Sequence, residues 1–284
     1  MSKQTPFLQV KDHSVSGERF QLILNEELHM LETSPRPKDS ELPKYYKSED
    51  YISHTSSKRN LFELSYHLVR GITLKRKLKL INSFGFEEKK ILDVGCGTGN
   101  FLEYVLKSGW KVIGVEPNDS ARKIANSKTS NCVFEINKLS ELKENSFDVI
   151  TLWHVLEHLP KLEDHIALLI KLLKPNGKLI IAVPNYNSFD AKYYREFWAA
   201  YDVPRHLWHF SQTSMDKLFS KKAMLIEKTL PMKFDAYYVS MLSEKYKKSF
   251  LGFLKGLLVG FKSNLKAKRT GEYSSLIYII KNVN

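Results

Sequence analysis

The heptapeptide Asp93-Val94-Gly95-Cys96-Gly97-Thr98-Gly99 sets three glycines at alternate positions, directly after a run that reads as a β-strand, Lys90–Val94, and directly before a helix from Asn100 to Ser108. Glycine removes the side chain where a chain must turn tightly or pass close to a ligand. In an open α/β sheet such ligands lie outside the carboxyl ends of the strands. The third glycine follows the second by two residues, which departs from the G-x-G-x-x-G of dinucleotide folds. The chain then keeps the same rhythm. Strands are expected at Lys111 to Glu116, Cys132 to Ile136, Phe147–Trp153, Lys178 to Val183, Met224 to Thr229 and Ser275 to Ile280, with helices at Asp119 to Ser127 and His165 to Leu173. Alternating strands and helices build a mostly parallel sheet covered on both faces. The expected fold is α/β: a Rossmann-like, seven-stranded, mostly parallel sheet with the last strand antiparallel.

Two further units flank this pattern. Residues 1–59 read as an N-terminal appendage with one short strand, Phe20 to Leu24, a break at Pro35-Arg36-Pro37, and tyrosines 45, 46 and 51. Residues 60–284 form the main domain, opening on a helix from Asn60 to Phe84, and an insert at about 230–273 precedes the last strand and forms a helical lid. Only two cysteines occur, Cys96 and Cys132, so neither a disulfide framework nor a cysteine metal site is expected, and a reducing, cytoplasmic setting fits. The first residues lack the apolar core of a signal peptide.

Glu116 ends the second strand of the parallel set, where a carboxylate can accept two hydrogen bonds from a ribose diol. At this point the sequence resembles the class I S-adenosylmethionine-dependent methyltransferases. Phe147-Asp148-Val149-Ile150, His154-Val155-Leu156-Glu157-His158-Leu159 and Leu172 to Leu179 match that family's pattern in order. The resemblance implies S-adenosylmethionine as cofactor. Gly95, Cys96, Gly97 and Gly99 would wrap its methionine part, Asp93 would orient the loop, Glu116 beside Pro117 would hold the ribose, Asn137 the adenine edge, and Trp153 would pack against it. Each of the last two has a plain alternative, a loop cap for Asn137 and core packing for Trp153.

Methyl transfer needs an aligned nucleophile and, for oxygen or nitrogen acceptors, often a base. His154 and His158 are base candidates, with structural bracing of Glu157 and His158 as the competing reading. A later cluster, Pro204-Arg205-His206-Leu207-Trp208-His209-Phe210, offers Arg205 for an anionic acceptor and His206 or His209 for proton removal; a packed aromatic loop is the bland alternative. The stretch also resembles ubiquinone-biosynthesis O-methyltransferases, whose motif carries a carboxylate where this chain has His154, and some of which are thought to hold a divalent metal there. The appendage resembles a small zinc unit stripped of its cysteines. No metal is expected at either place.

The insert carries Phe250, Leu254, Leu257, Leu258, Phe261 and Leu265 on one helical side, with lysines around it between 247 and 269. A membrane-surface helix, a cover for a hydrophobic acceptor and a homodimer contact all fit this pattern. The net charge of +13 gives the only support for nucleic acid, and no nucleic-acid motif accompanies it. The sequence therefore points to methylation of a small molecule, most simply at oxygen. The rivals are an RNA methyltransferase and a non-catalytic cofactor-binding or assembly protein.

Overall fold

The computed structural model describes residues 6–46 and 61–283, with side chains from position 69 onward in the second stretch. Tyr51 and the expected boundary between 59 and 60 lie outside these residues. The main sheet is built from β4 (Lys90–Val94), β5 (Lys111–Val115), β6 (Val133–Phe134), β7 (Phe147–Trp153), β8 (Leu173–Pro184), β10 (Met224–Pro231) and β11 (Ser275–Asn282). Their order across the sheet is β10-β11-β8-β7-β4-β5-β6. The five strands from β8 to β6 are parallel, and β11 runs antiparallel between β8 and β10. The first six residues of β7 are all buried, the mark of a central strand covered on both faces. Chain order turns in opposite directions on either side of the β4–β7 seam, which places the ligand-binding crevice of such a sheet at their carboxyl ends.

Helices α1 (Leu61–Asn82), α2 (Asn100–Leu106) and α3 (Asp119–Thr129) accompany the first strands, and α4 (Leu162–Leu172) links β7 to β8. Asn118 caps α3 by accepting the Ala121 N–H at 2.9 Å, and Ser130 ends it in the left-handed region. One face of the sheet packs Leu92, Ile150 and Ile181 with Leu169 of α4 and Phe219, while the other packs Ile91, Val149 and Ile180 with Ile81 and Phe101. β8 starts at Leu173, earlier than the sequence suggests. Leu173 pairs with Phe147, the ladder then breaks, and it resumes at Lys178 opposite Val149. The Lys-Pro-Asn-Gly run is thus an irregularity inside a strand.

The appendage holds more structure than one strand. β1 (Leu8–Lys11), β2 (Arg19–Asn25) and β3 (Met30–Ser34) form an antiparallel sheet, and β9 (Trp208–His209) from the main chain adds a fourth strand, with Leu31 opposite His209. Beneath it Phe20, Leu22 and Leu31 pack with Tyr194 of α5 (Phe189–Tyr194) and with Trp198. After β9 comes α6 (Gln212–Ser220), capped by Ser211 and Ser214 bonding each other's backbone N–H.

The insert folds as two packed helices, α7 (Asp235–Tyr246) and α8 (Gly252–Thr270). The buried side of α8 is Gly256, Val259, Gly260, Ser263 and Ala267. Its large apolar residues face outward, which overturns the reading of that apolar face as a pocket cover. It is the first turn of α7 that reaches the strand ends, where Asp235 lies 3.0 Å from His154.

Candidate active site at the strand switch point

The three glycines of the loop after β4 all have positive φ, at 68°, 55° and 73°, but they are needed for different reasons. A Cβ on Gly95 would stand 2.5 Å from Val155, and one on Gly99 2.8 Å from the Ala125 backbone. One on Gly97 would meet nothing within 4 Å, so the middle glycine opens onto free space. Glu116, one residue past β5, closes the other side. It is 5 % exposed, its two oxygens accept the N–H groups of Gly97 and Asn118, both at 2.9 Å, and burial raises its pKa against those bonds. Arg122 donates to the carbonyls of Glu116 and Pro117 at 2.8 and 3.2 Å and so fixes the turn. Cys96 points toward its own loop, and burial pushes its thiol up, which keeps it protonated. Asn137 is exposed in the 3₁₀ turn Ile136–Glu141 that follows β6.

Asp93 is buried and accepts the Thr151 hydroxyl at 2.5 Å across the β4–β7 seam. Burial raises its pKa, while the Thr151 bond and the Lys77 charge oppose the rise. Lys77, from α1, brings its ammonium 3.9 Å above the Trp153 ring, where burial lowers its pKa and Asp93 and Asp235 hold it up. Trp153 also meets Phe101 edge-on at 5.6 Å, and its indole N–H is buried with no hydrogen-bond partner.

His154 follows with φ 57°, a left-handed backbone that histidine tolerates better than most residues. The turn aims its ring between two carboxylates. Nε2 lies 3.0 Å from Asp235 and Nδ1 3.4 Å from Glu157. Burial works against a charged ring, but these two carboxylates outweigh it and lift its pKa to about 10. Glu157 is fully buried, and neither of its oxygens makes a hydrogen bond. His158 is locked by Nδ1, 3.0 Å from both the Arg205 carbonyl and the Tyr46 hydroxyl, and burial together with the neighbouring His206 depresses its pKa to about 4. His206 is held through Nδ1 by the Ala200 carbonyl at 2.9 Å. Glu157, His158 and His206 each bring one ligand-type atom within 4.8 Å of the others, the one grouping among the described residues that could hold a metal ion.

Arg205 belongs elsewhere. Its guanidinium donates to Asp202 through Nε and Nη2, to Asp12 at 3.0 Å and to the Tyr45 carbonyl at 3.0 Å. With nearly all its donors spent inside the protein, it ties the appendage to the main domain and has little left for an anionic acceptor. His209 is likewise internal, 3.0 Å from the Thr33 hydroxyl, and burial holds its pKa well below the ordinary value. The sequence reading missed Lys77, Thr151 and Asp235. Thr151 carried a weak signal, as a polar residue within an apolar strand. Lys77 and Asp235 carried none, because both reach the site from elements distant in sequence.

A methyltransferase-domain family matches residues 69–223. Among curated relatives, the ubiquinone biosynthesis O-methyltransferase of Coxiella burnetii is 33 % identical over 141 residues, covering 48 % of this chain and 58 % of that one. The enzyme of the same name from Nitrosococcus oceani is 36 % identical over 104 residues, 34 % of this chain and 44 % of that one. The chain thus spans about half the length of these relatives. Magnesium protoporphyrin IX methyltransferase from Synechocystis PCC 6803, solved with bound SAH, superposes with a TM-score of 0.57 at 14 % identity, over 86 % of this chain and 100 % of that one. A SAM-dependent methyltransferase from Archaeoglobus fulgidus gives 0.52 at 18 %, over 78 % and 100 %. These two show the shared fold. With the family match running from α1 through α6, the chain belongs to the class I S-adenosylmethionine-dependent methyltransferases.

Proposed function

We propose that this protein methylates an oxygen of a small-molecule acceptor, with His154 receiving the acceptor's proton. The observation that carries the reading is the continuous run Glu116, glycine loop, Asp93, Trp153 and His154 along the ends of β5, β4 and β7. The residues present fit the cofactor. Open space faces Gly97, and a buried indole N–H on Trp153 lacks a partner. Each Glu116 oxygen has a lone pair left for a ribose hydroxyl. Gly95, Cys96 and Gly99 would shape the loop around the methionine part, with Pro117 and Asn137 flanking the adenine. Lys77 is the cation able to meet an amino-acid carboxylate, and Asp93 is the carboxylate able to meet its amino group.

When bound, the cofactor supplies a methyl group on a sulfonium, so alignment of the acceptor does much of the work. His154 has 35 % of its side chain exposed, against 11 % for His206. Asp235 and Glu157 hold its ring in place and set its basicity. His158 and His206, turned inward on the Arg205 and Ala200 carbonyls, brace the loop before β9. Oxygen is favoured because both curated relatives cited above are O-methyltransferases. A hydrophobic acceptor is consistent with Trp153 and Phe101 at the crevice.

Calorimetry with S-adenosylmethionine tests the first half. Wild type should bind, Glu116→Ala should weaken binding by roughly ten- to a hundredfold, from the loss of charge-assisted hydrogen bonds, and Gly97→Arg should abolish it. A radiolabelled-methyl screen over hydroxylated aromatics and bulk RNA tests the second half. Label in RNA alone would overturn the small-molecule reading, and cofactor binding with no transfer to either set would favour a non-catalytic role.

A further inference from the structure

The chain from Lys245 to Gly271 holds eight basic residues and no acidic one. Within it α8 divides into three sectors. One is buried against α7 and is made of small residues, because the two helix backbones nearly touch: a Cβ on Gly256 would stand 2.7 Å from Met241 Cα, and one on Gly260 2.8 Å from Tyr237 Cα. The second sector is the outward stripe Leu254, Leu258, Phe261 and Leu265, more than half exposed at each position. Spacings of four, three and four residues stack these side chains along one helix face. The third sector, beside the stripe, is the lysine row Lys255, Lys262 and Lys266. At the head of the helix Leu251 takes φ 60°, an uncommon backbone for leucine, and Phe250 beside it is 85 % exposed. The α7–α8 turn therefore holds two large apolar side chains at its tip, with Lys247 and Lys248 exposed just before them.

We infer that this face of α8 and the tip before it dock on an anionic lipid bilayer, the helix lying flat in the headgroup region. The apolar stripe would enter the acyl boundary, and the lysines would extend their stems along it and keep their charges at the headgroups. No helix among the described residues is long and apolar enough to cross a membrane, so the contact is with its surface. Charge decides between a bilayer and a second copy of the chain. No ion pair neutralises any of the eight basic side chains among the described residues. Two copies meeting on this stripe would bring two lysine rows together with no carboxylate on either helix to offset them. An anionic lipid surface offers apolar depth and opposite charge in one plane.

Flotation of the full-length protein with vesicles tests this, comparing phosphatidylcholine alone with phosphatidylcholine partly replaced by phosphatidylglycerol. The protein should float with the anionic vesicles and not with the neutral ones, and added salt should release it. Combined Phe250→Ser, Leu254→Ser, Leu258→Ser and Phe261→Ser should weaken binding roughly tenfold or more, and Lys255→Glu with Lys262→Glu should act in the same direction. All six positions are exposed, so the variants should keep the wild-type circular dichroism and S-adenosylmethionine affinity. That readout also separates this inference from the methyltransferase reading. Absence of flotation overturns it, and a wild-type dimer that the serine variant converts to monomer assigns the stripe to a second copy instead. Equal flotation of wild type and both variants would overturn it as well.

Discussion

A histidine between two carboxylates gains basicity and loses availability at neutral pH. His154, lifted to about 10 by Asp235 and Glu157, is protonated across the physiological range. As proton acceptor it must first be neutral, so kcat/KM should rise with pH through neutrality and level off near 10. Asp235→Asn removes the shorter of its two contacts and should move that plateau toward the ordinary histidine value near 6.5, whereas a purely structural Asp235 would change the rate without moving the profile. His154→Ala should cost roughly a hundred- to ten-thousandfold in rate. His158 has the opposite electrostatics. Burial and His206 hold its folded pKa near 4, below the unfolded value of 6.5. Below pH 6.5 the unfolded chain therefore takes up a proton that the folded protein refuses. The contribution to stability is complete above about 6.5 and is lost as pH falls toward 4, amounting to roughly 3 kcal/mol. Melting temperature should drop across that window, and His158→Gln should flatten the drop. Wild type and variant falling in parallel would show that other groups carry it.

The helices and strands show what a sequence can and cannot disclose. The strand–glycine–helix unit at 90–106 is legible because each signal is local: an apolar run, a turn that demands positive φ, then helical spacing. The same holds for Glu116, whose place follows from the end of its strand. The antiparallel sheet of the appendage is not legible, since its fourth strand is the two-residue Trp208–His209 and nothing near Leu31 announces it. Asp235 is hidden for the same reason, because only the packing of the insert brings it to His154. The insert glycines were legible as residues and not as a surface. Glycine weakens a helix by its propensity, yet Gly256 and Gly260 lie on the contact face of α8. Glycine-to-alanine changes should therefore have opposite signs on different helices. At Gly71 in α1 a Cβ meets nothing within 4 Å, and Gly71→Ala should stabilise by about 0.5–1 kcal/mol. At Gly260 the new Cβ would press on the Ala236 carbonyl and the Tyr237 backbone. There overpacking of roughly 1–3 kcal/mol should exceed the helical gain. Chemical denaturation of the two single variants measures both, and stabilisation by Gly260→Ala would mean that the α7–α8 pair can part without cost.

In the molecule as a whole, the loop between α5 and β9 serves two structures at once. Its end runs into β9, the last strand of the N-terminal sheet, and its carbonyl at Arg205 locks the ring of His158. The Arg205 side chain points the other way, into Asp12 and Asp202. Both carboxylates are held below the ordinary range; burial pushes each upward, but hydrogen bonds from Arg205, joined at Asp12 by the Ser14 and Ser16 N–H groups, outweigh it. Arg205 is thus a buried tie between the appendage and the main domain, beside the β3–β9 pairing and the Tyr46–His158 contact. Removing that cation leaves two carboxylates with no guanidinium between them, which costs more than losing a surface pair. Arg205→Ala should lower stability by about 3–5 kcal/mol and make residues 6–46 susceptible to limited proteolysis before the main domain unfolds. Arg205→Lys should rescue only part of this, because an ammonium cannot reproduce the forked contacts to both carboxylates and the Tyr45 carbonyl. Cleavage beginning instead in the main domain would show that Arg205 is not what secures the appendage, and full stability with lysine would show that the guanidinium geometry is dispensable.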